Sequence, residues 1–406
     1  MSLPKLPPLK LAGRLLRPIV QGGMGVGISA HRLAGAVAAN NAVGTIASVD
    51  LRRHHADLMA RTTSIAAGCA KAAIDAANLE ALDREIRAAR RVAAGAGLLA
   101  VNVMRAVAEY AAYVRQACAS GIDAIVVGAG LPLDLPELTA DHPKVALVPI
   151  LSDVRGIALI LKKWERKARL PDAIVIEHPR HAGGHLGAAR VEDLADPRFE
   201  FEQVLPEARA LLRAHGVEQT PLIPAGGINT PQRVRQLIDL GASAVQVGTA
   251  FAVTEEGDAH PEFKRVLAEA RAEDIVEFIS VAGLPARAVR TPWLENYLRL
   301  APKLQAKAAA REAKKRCTMV FDCLSQCGLR DGIAKFGIHR LQDGPTYIAA
   351  GTERVVGDWV HLAGVVHADR IEVYVNARLA GTAKTDGLFP GNCGQSGPSG
   401  HTPAPC

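Results

Sequence analysis

Short β-branched runs recur along the first two thirds of the chain, and each is followed by a stretch of helical spacing or by a loop. Eight can be counted: Pro18–Gly22, Val43–Ser48, Leu98–Met104, Ala124–Gly130, Val145–Leu151, Ala173–Pro179, Pro221–Gly227 and Ala244–Phe251. Repeated strand-helix units of this kind predict an α/β fold with a parallel sheet. Eight units favour closure into a TIM (β/α)8 barrel over an open doubly wound sheet, which usually has fewer. The alternation stops after residue 275. The expected organisation is therefore a barrel over 1–275, a helical, basic and Cys-containing extension over 276–341, a short β-rich segment over 342–389, and a disordered tail over 390–406.

Composition narrows this picture. The chain has 406 residues and 49% hydrophobic content with only 4% aromatic, enough for one large core built from small residues. The formal charge of +7 is local: Lys303, Lys307, Arg311, Lys314, Lys315 and Arg316 stand against Glu312 alone, leaving about +2 elsewhere. A solvated basic helix face explains that run, so neither a nucleic-acid nor a membrane partner is expected. No long uninterrupted apolar stretch or apolar signal core is present, and the expected location is cytoplasmic.

Seven cysteines, odd in number, do not form a secreted disulfide framework. Cys69 and Cys118 read as small buried apolar residues. Cys317, Cys323 and Cys327 could bring three thiols together, but a metal or cluster needs a fourth ligand, for which only Cys393 or His339 offers itself. They are read as free or buried thiols, and no metal is expected.

In a TIM barrel, chemistry gathers at the carboxyl ends of the strands. Those ends supply Gln21, Gly22, Gly23, Ser48, Asn102, Gly128, Ser152, Glu177, His178, Gly226, Gly227, Gly248 and Thr249. The glycine exits of strands seven and eight suit a phosphate, because glycine lets backbone N–H groups approach an anion beside a helix start. The glycines after strand one, Gly22 to Gly27, fit a dinucleotide fingerprint poorly, since Ile28 or Ala30 stands where the third glycine belongs. Asn102 and Gln21 are neutral amides able to donate and accept together. His181 and His185 lie on a long loop over the barrel mouth, where an imidazole can exchange protons near neutral pH. With His178 they would supply three zinc ligands, but no fourth is spaced near them.

Four blocks occur together in order: Arg17-Pro18-Ile19-Val20-Gln21-Gly22-Gly23-Met24-Gly25, Ala182-Gly183-Gly184-His185-Leu186-Gly187, Pro224-Ala225-Gly226-Gly227-Ile228 and Val245-Gln246-Val247-Gly248-Thr249-Ala250-Phe251. With them, residues 15–335 resemble the nitronate monooxygenase family, which includes flavin-type enoyl-acyl-carrier-protein reductases and NAD(P)H:quinone reductases. The resemblance implies FMN with its phosphate on Gly226, Gly227, Gly248 and Thr249, and with Gln21, Gly22, Gly23, Met24, Asn102 and Gly184 along the flavin. It implies His185 as catalytic base, a small-molecule substrate (a nitronate with O2, or a quinone or enoyl thioester with NAD(P)H as reductant), and leaves the oligomeric state open, a homodimer included. One departure stands out: some members carry a lysine at the exit of strand five, where Ile150 and Leu151 stand here. That leaves Arg155 or a helix dipole to stabilise reduced flavin. The strands near Trp359 and Tyr374 also resemble part of a laminin-G sandwich, too short to close one, which leaves a non-catalytic binding module as a third reading.

Overall fold

The computed structural model describes residues 6–63, 67–182, 184–185, 188, 190–280, 285–311, 333–339, 346–354, 362–366, 370–375 and 378–384. The chain divides into two compact units, one of Met1–His54 with Asn78–Leu324 and one of His55–Ala77 with Ser325–Cys406. Cys317, Cys323, Cys327, Cys393, Trp359, the tail after 390, and Gly183, Leu186 and Gly187 of the loop motif lie outside the described residues, as do the side chains of Cys69 and His339.

The first unit is a closed barrel of eight parallel strands: β1 (Ile19–Gln21), β2 (Val43–Ala47), β3 (Leu98–Met104), β4 (Ala124–Gly128), β5 (Ala146–Leu151), β6 (Ile174–Glu177), β7 (Leu222–Ala225) and β8 (Val245–Val247). Each coincides with one of the eight runs. The expected seventh and eighth strands end earlier than their apolar text: Gly226 and Gly227 turn the chain at φ of 102° and 70°, and Thr249 opens a helical turn. The ring closes where β8 pairs with β1 in the register Gln246↔Val20, and where β6 pairs with β7 in the register Glu177↔Ala225.

Side chains two apart on each strand point into the ring. Val20, Val43, Leu98, Ala100, Ala124, Val126, Ala146, Val148, Ala173, Val175, Ile223, Ala225 and Ala244 form one buried cluster there. Leu9, Leu11 and Leu16 join it from an antiparallel hairpin, Leu9–Leu11 with Arg14–Leu16, that plugs the amino-terminal end. Each buried leucine contributes about 1.5–3 kcal/mol relative to exposure. The intervening residues face the covering helices. Val154–Glu165 shows why those form: Asp153 accepts from Gly156 N–H at 2.8 Å as N-cap, and Ile157, Ile160, Leu161 and Trp164 recur at helical spacing on its buried face.

The helical extension expected from residue 276 begins at Pro292 and runs to Arg311. Before it, the alternating text of Ile275–Ile279 and Pro285–Val289 forms an antiparallel pair, and Gly184–His185 adds a third strand. The second unit holds two antiparallel sheets, Ile333–His339 with Thr346–Arg354, and Leu362–Val366 with Arg370–Val375 and Arg378–Lys384. Among the described residues no helix is long and apolar enough to cross a membrane.

The loop after β1 leads into the helix His31–Ala39. A helix start leaves its first amides without intrahelical partners. Here the Asp258 carboxylate accepts from Ala30 N–H at 2.8 Å, Arg32 N–H at 3.2 Å and Leu33 N–H at 3.2 Å, while Glu85 accepts from His31 N–H at 2.8 Å. Two carboxylates thus fill the positive end of this helix. The His31 ring also meets Glu85 at 2.8 Å, a contact that raises the imidazole above its ordinary pKa against the opposing effect of burial.

Removing the cap by Asp258→Ala should cost about 1–3 kcal/mol in urea unfolding, since three amides lose a charged acceptor; an unchanged midpoint would show that water replaces it. Folded His31 binds its proton more tightly than the unfolded residue does. Its contribution is therefore complete below the unfolded value of 6.5 and fades as pH rises through the higher folded value. The stability gap between the native chain and His31→Ala should narrow as pH rises above 6.5 in thermal melts.

Candidate active site

Following the two-residue alternation to the carboxyl end gives the innermost layer of the mouth. It comprises Gly22, Ala47, Asn102, Gly128, Ile150, Glu177 and Gln246, each next in line above a lumen residue of its strand. Contacts agree with this placement: a Cβ at Gly22 would meet the Gln246 side chain at 3.2 Å, and one at Gly128 would meet Ile150 at 3.1 Å. Glu177 and Gln246 both register with Ala225 from opposite sides, which sets their backbones about 10 Å apart. No hydrogen bond or ion pair reaches the side chains of Asn102, Glu177 or Gln246 from the described residues. Three polar side chains at the top of an apolar column, with no partner among the described residues, form a surface suited to a polar planar ligand.

Glu177 is the most perturbed of them. Its carboxyl is reachable from the mouth but otherwise walled in by the strand ring, and this burial pushes its pKa up to about 7.

Gln21 is placed differently. It is fully buried, its Oε1 accepts from Thr45 N–H on β2 at 2.8 Å, and its Nε2 donates to the Gly22 carbonyl. Because β1 and β2 share only the register Val20↔Val43, this amide extends the ladder between them. Gly23 lies on Asn102, where a Cβ would come within 2.3 Å of the asparagine Cβ. Met24 packs with Leu33, Val37, Ala42 and Phe251, and its sulfur is 3.6 Å from where a Cβ on Gly248 would lie. The first block thus meets both Asn102 and the exit of β8.

Anion seats are distributed unevenly. At the helix after β1 the amides are taken by Asp258 and Glu85, which removes the dinucleotide alternative on physical grounds. At the exits of β7 and β8, the N–H groups of Gly227, Gly248 and Thr249 meet no acceptor among the described residues, while that of Gly226 continues the ladder toward the Gln246 carbonyl. A hollow of about 410 Å³ at the opposite end, lined by Lys10, Gly13, Arg14, Asp172 and Thr220, lies where barrels of this type carry no chemistry.

His178 points away from the lumen. It is buried, its ring stands 5.5 Å from Phe201 and 4.6 Å from His181, and its Nε2 lies 3.5 Å from Glu200. Burial holds its pKa below the ordinary value, and Glu200 opposes this. His181 lies directly over the β7 exit: a Cβ on Gly227 would sit 3.0 Å from its Cγ, and one on Gly226 3.2 Å from its Cβ. Burial lowers its pKa, and His178 and Arg287 add to this. The two glycines therefore have a packing reason of their own.

The backbone of Gly184 and His185 pairs antiparallel with Arg287 and Ala286. Arg287 also donates to the Arg180 carbonyl at 3.2 Å, and Arg180 lies 3.5 Å from Glu277. A hairpin a hundred residues downstream in sequence thus clamps both ends of the loop that carries the histidine motif. Among the described residues no group of three His, Cys, Asp or Glu side chains is arranged to hold a metal.

Sequence reasoning did not single out four of these features. Glu177 stands among the strand ends but was separable from the others only through the spacing Ala173, Val175, Glu177; Gln246 follows from Ala244 in the same way. The clamp by Ile275–Val289 was signalled by its own alternation. Asp258 has no local signal. Arg155, one candidate for stabilising reduced flavin, is exposed, and the start of its helix is capped by the acid Asp153.

A model of the family described as nitronate monooxygenase matches residues 10–344. A nitronate monooxygenase from Pseudomonas aeruginosa is 32% identical over 172 residues, 38% of this chain and 46% of that protein. Across the curated relatives it matches, the chain spans 33–46% of their length. FabK from Thermotoga maritima superposes with a TM-score of 0.51 at 21% identity over 74% of this chain and 78% of that one. A nitroalkane oxidase from Streptomyces ansochromogenes gives 0.52 at 20% identity over 69% and 78%. Both likenesses are of fold.

Replacing Gly227 with alanine forces a side chain onto His181 at a φ of 70°. Gly227→Ala should destabilise the chain by about 1–3 kcal/mol in urea, and adding His181→Ala should recover part of that loss. Full tolerance of the single change would contradict the packing described.

Proposed function

The chain belongs to the nitronate monooxygenase family, and from that premise we propose that it is an FMN-dependent oxidoreductase that oxidises alkyl nitronates with O2. The observation that supports this most is the pairing of two vacant polar surfaces on one rim: the partnerless layer of Asn102, Glu177 and Gln246, and the free amides at the exits of β7 and β8. This donor set fits a flavin mononucleotide, which joins a planar ring edged with donors and acceptors to a single phosphate.

In this reading Gly227, Gly248 and Thr249 hold the phosphate through their N–H groups, and Gly226 makes the turn that lets it approach. Asn102 and Gln246 orient the ring edge from the lumen side. Gly22, Gly23 and Gly128 leave the inner wall low enough for a flat ligand, with Met24 at its border; Gly184 sits beside the histidine on the covering loop. Gln21 acts through the barrel, holding β1 against β2. When bound, FMN supplies the acceptor for the electrons of a carbon acid and passes them to O2. Where the neutral nitroalkane enters, His185 would take its α-carbon proton on an imidazole nitrogen and leave the nitronate to be oxidised, while the hairpin Ile275–Val289 fixes the backbone that presents the histidine.

The purified protein should show flavin absorption bands, and anaerobic addition of a nitronate should bleach them. Protein that is colourless and takes up no FMN would refute the reading. Bleaching by NADH or NADPH but not by a nitronate would move it to the reductases of quinones or enoyl thioesters. His185→Asn should keep FMN yet lose at least about a hundredfold in turnover of a carbon acid, the range for a missing general base; unchanged turnover would reassign the loop to binding.

A further inference from the structure

We propose that Glu177 enters the flavin site as a neutral carboxylic acid and donates a hydrogen bond to the ring edge of the cofactor, filling the place of a cation. The inference rests on the flavin reading above and adds to it the protonation state that binding requires.

Three observations carry it. The first is position: Glu177 ends β6 on the lumen side, two residues beyond Val175 of the barrel core and in register with Ala225 just before the Gly226-Gly227 exit. The second is the lack of any partner for its carboxyl among the described residues, in a wall where a charged carboxylate is costly unless paired. The third is what faces it. Ile150 stands on the lumen side of β5 next to it, Ala225 is level with it on β7 with Ile223 one layer below, and the polar residues across the lumen, Asn102 and Gln246, are neutral. The nearest ionisable groups turn elsewhere: His178 to Phe201 and Glu200, Arg180 to Glu277, and His181 to Gly226 and Gly227.

An acid kept protonated by an apolar wall can act as a donor where no lysine or arginine is placed. Strand five offers Ile150 and Leu151, Arg155 is exposed, and the helix after strand five begins at the acid Asp153. Glu177 is then the titratable group of this inward-facing layer, able in its neutral form to give a proton in a hydrogen bond beside the amides of Asn102 and Gln246 without adding charge. Burial alone places its titration near neutrality, at about 7. If only the neutral form admits the ring, binding must be accompanied by proton uptake above that pH.

The test is reconstitution of flavin-stripped protein with FMN across about pH 6 to 9, with affinity read from quenching of flavin fluorescence. For the native chain, affinity should fall up to about tenfold per pH unit above the break, about a hundredfold by pH 9. Glu177→Gln keeps a donor of the same shape without a titration. It should bind FMN within a few fold of native at pH 6 and lose that component of the pH dependence, whereas Glu177→Ala should bind more weakly at every pH. Titration of FMN's own phosphate is common to all three and cancels in the comparison. Should the variants fail to fold, difference infrared spectroscopy of the native flavin-stripped chain must show a protonated carboxyl at neutral pH that is lost at pH 9. Flavin binding with the same pH profile in native and Glu177→Gln proteins, or an ionised carboxyl at pH 6, overturns this inference alone. No FMN uptake at any pH overturns the flavin reading and this inference with it.

Discussion

In a closed ring of eight parallel strands every second side chain must point into a lumen wide enough only for small groups, and the rest of this structure follows from that constraint. Val, Ala, Leu and Ile fill the column from the hairpin plug at Leu9, Leu11 and Leu16 up to Val175 and Ala225. One step higher the same alternation delivers Asn102, Glu177 and Gln246, at a level where the packing of the column gives out. The ring that makes the core apolar therefore also sets polar groups on its rim without partners among the described residues. Gln21 shows the contrast: its amide, on the same strand end, is used up in joining β1 to β2.

Backbone amides at two places on this rim meet different fates. The helix after β1 has four amides turned toward the glycine-rich loop, and the chain fills them with Asp258 and Glu85. The exits of β7 and β8 carry amides that the described protein does not fill. The first is thereby closed to an anionic group. The most glycine-rich block of the chain accordingly packs on Asn102 and Gly248, and its helix start is closed to an anion. The cover on the other side, the histidine loop, is held by Arg287 and its hairpin.

Most of the barrel was legible in the sequence, because parallel strands packed on both faces are written as β-branched runs bounded by glycine. Their ends were less so at β7 and β8, where apolar text continues past the turn set by Gly226 and Gly227. The amino-terminal hairpin is built of three-residue strands too short to stand out, although Leu9 and Leu11 alternate across it. Site residues fixed by a strand end, such as Asn102 and the paired glycines, could be read from their positions. Those fixed by distant partners could not: Asp258 lies 228 residues from the amide of Ala30 that it caps, and the partners of Gly184 and His185 are Arg287 and Ala286. Glu177 lies between these cases, since its orientation was written in the strand but its lack of a partner appears only in three dimensions.

Membership of the nitronate monooxygenase family sets the class of chemistry, and the rim described here sets where a flavin would meet the chain. Hydrogen exchange of the backbone amides with and without FMN measures that location directly. The account predicts slower exchange on FMN addition in peptides covering 222–230 and 245–252, with no change at Ala30 to Leu33, whose amides are already bound to carboxylates. Protection at Ala30 to Leu33 with none at the exits of β7 and β8 would contradict it.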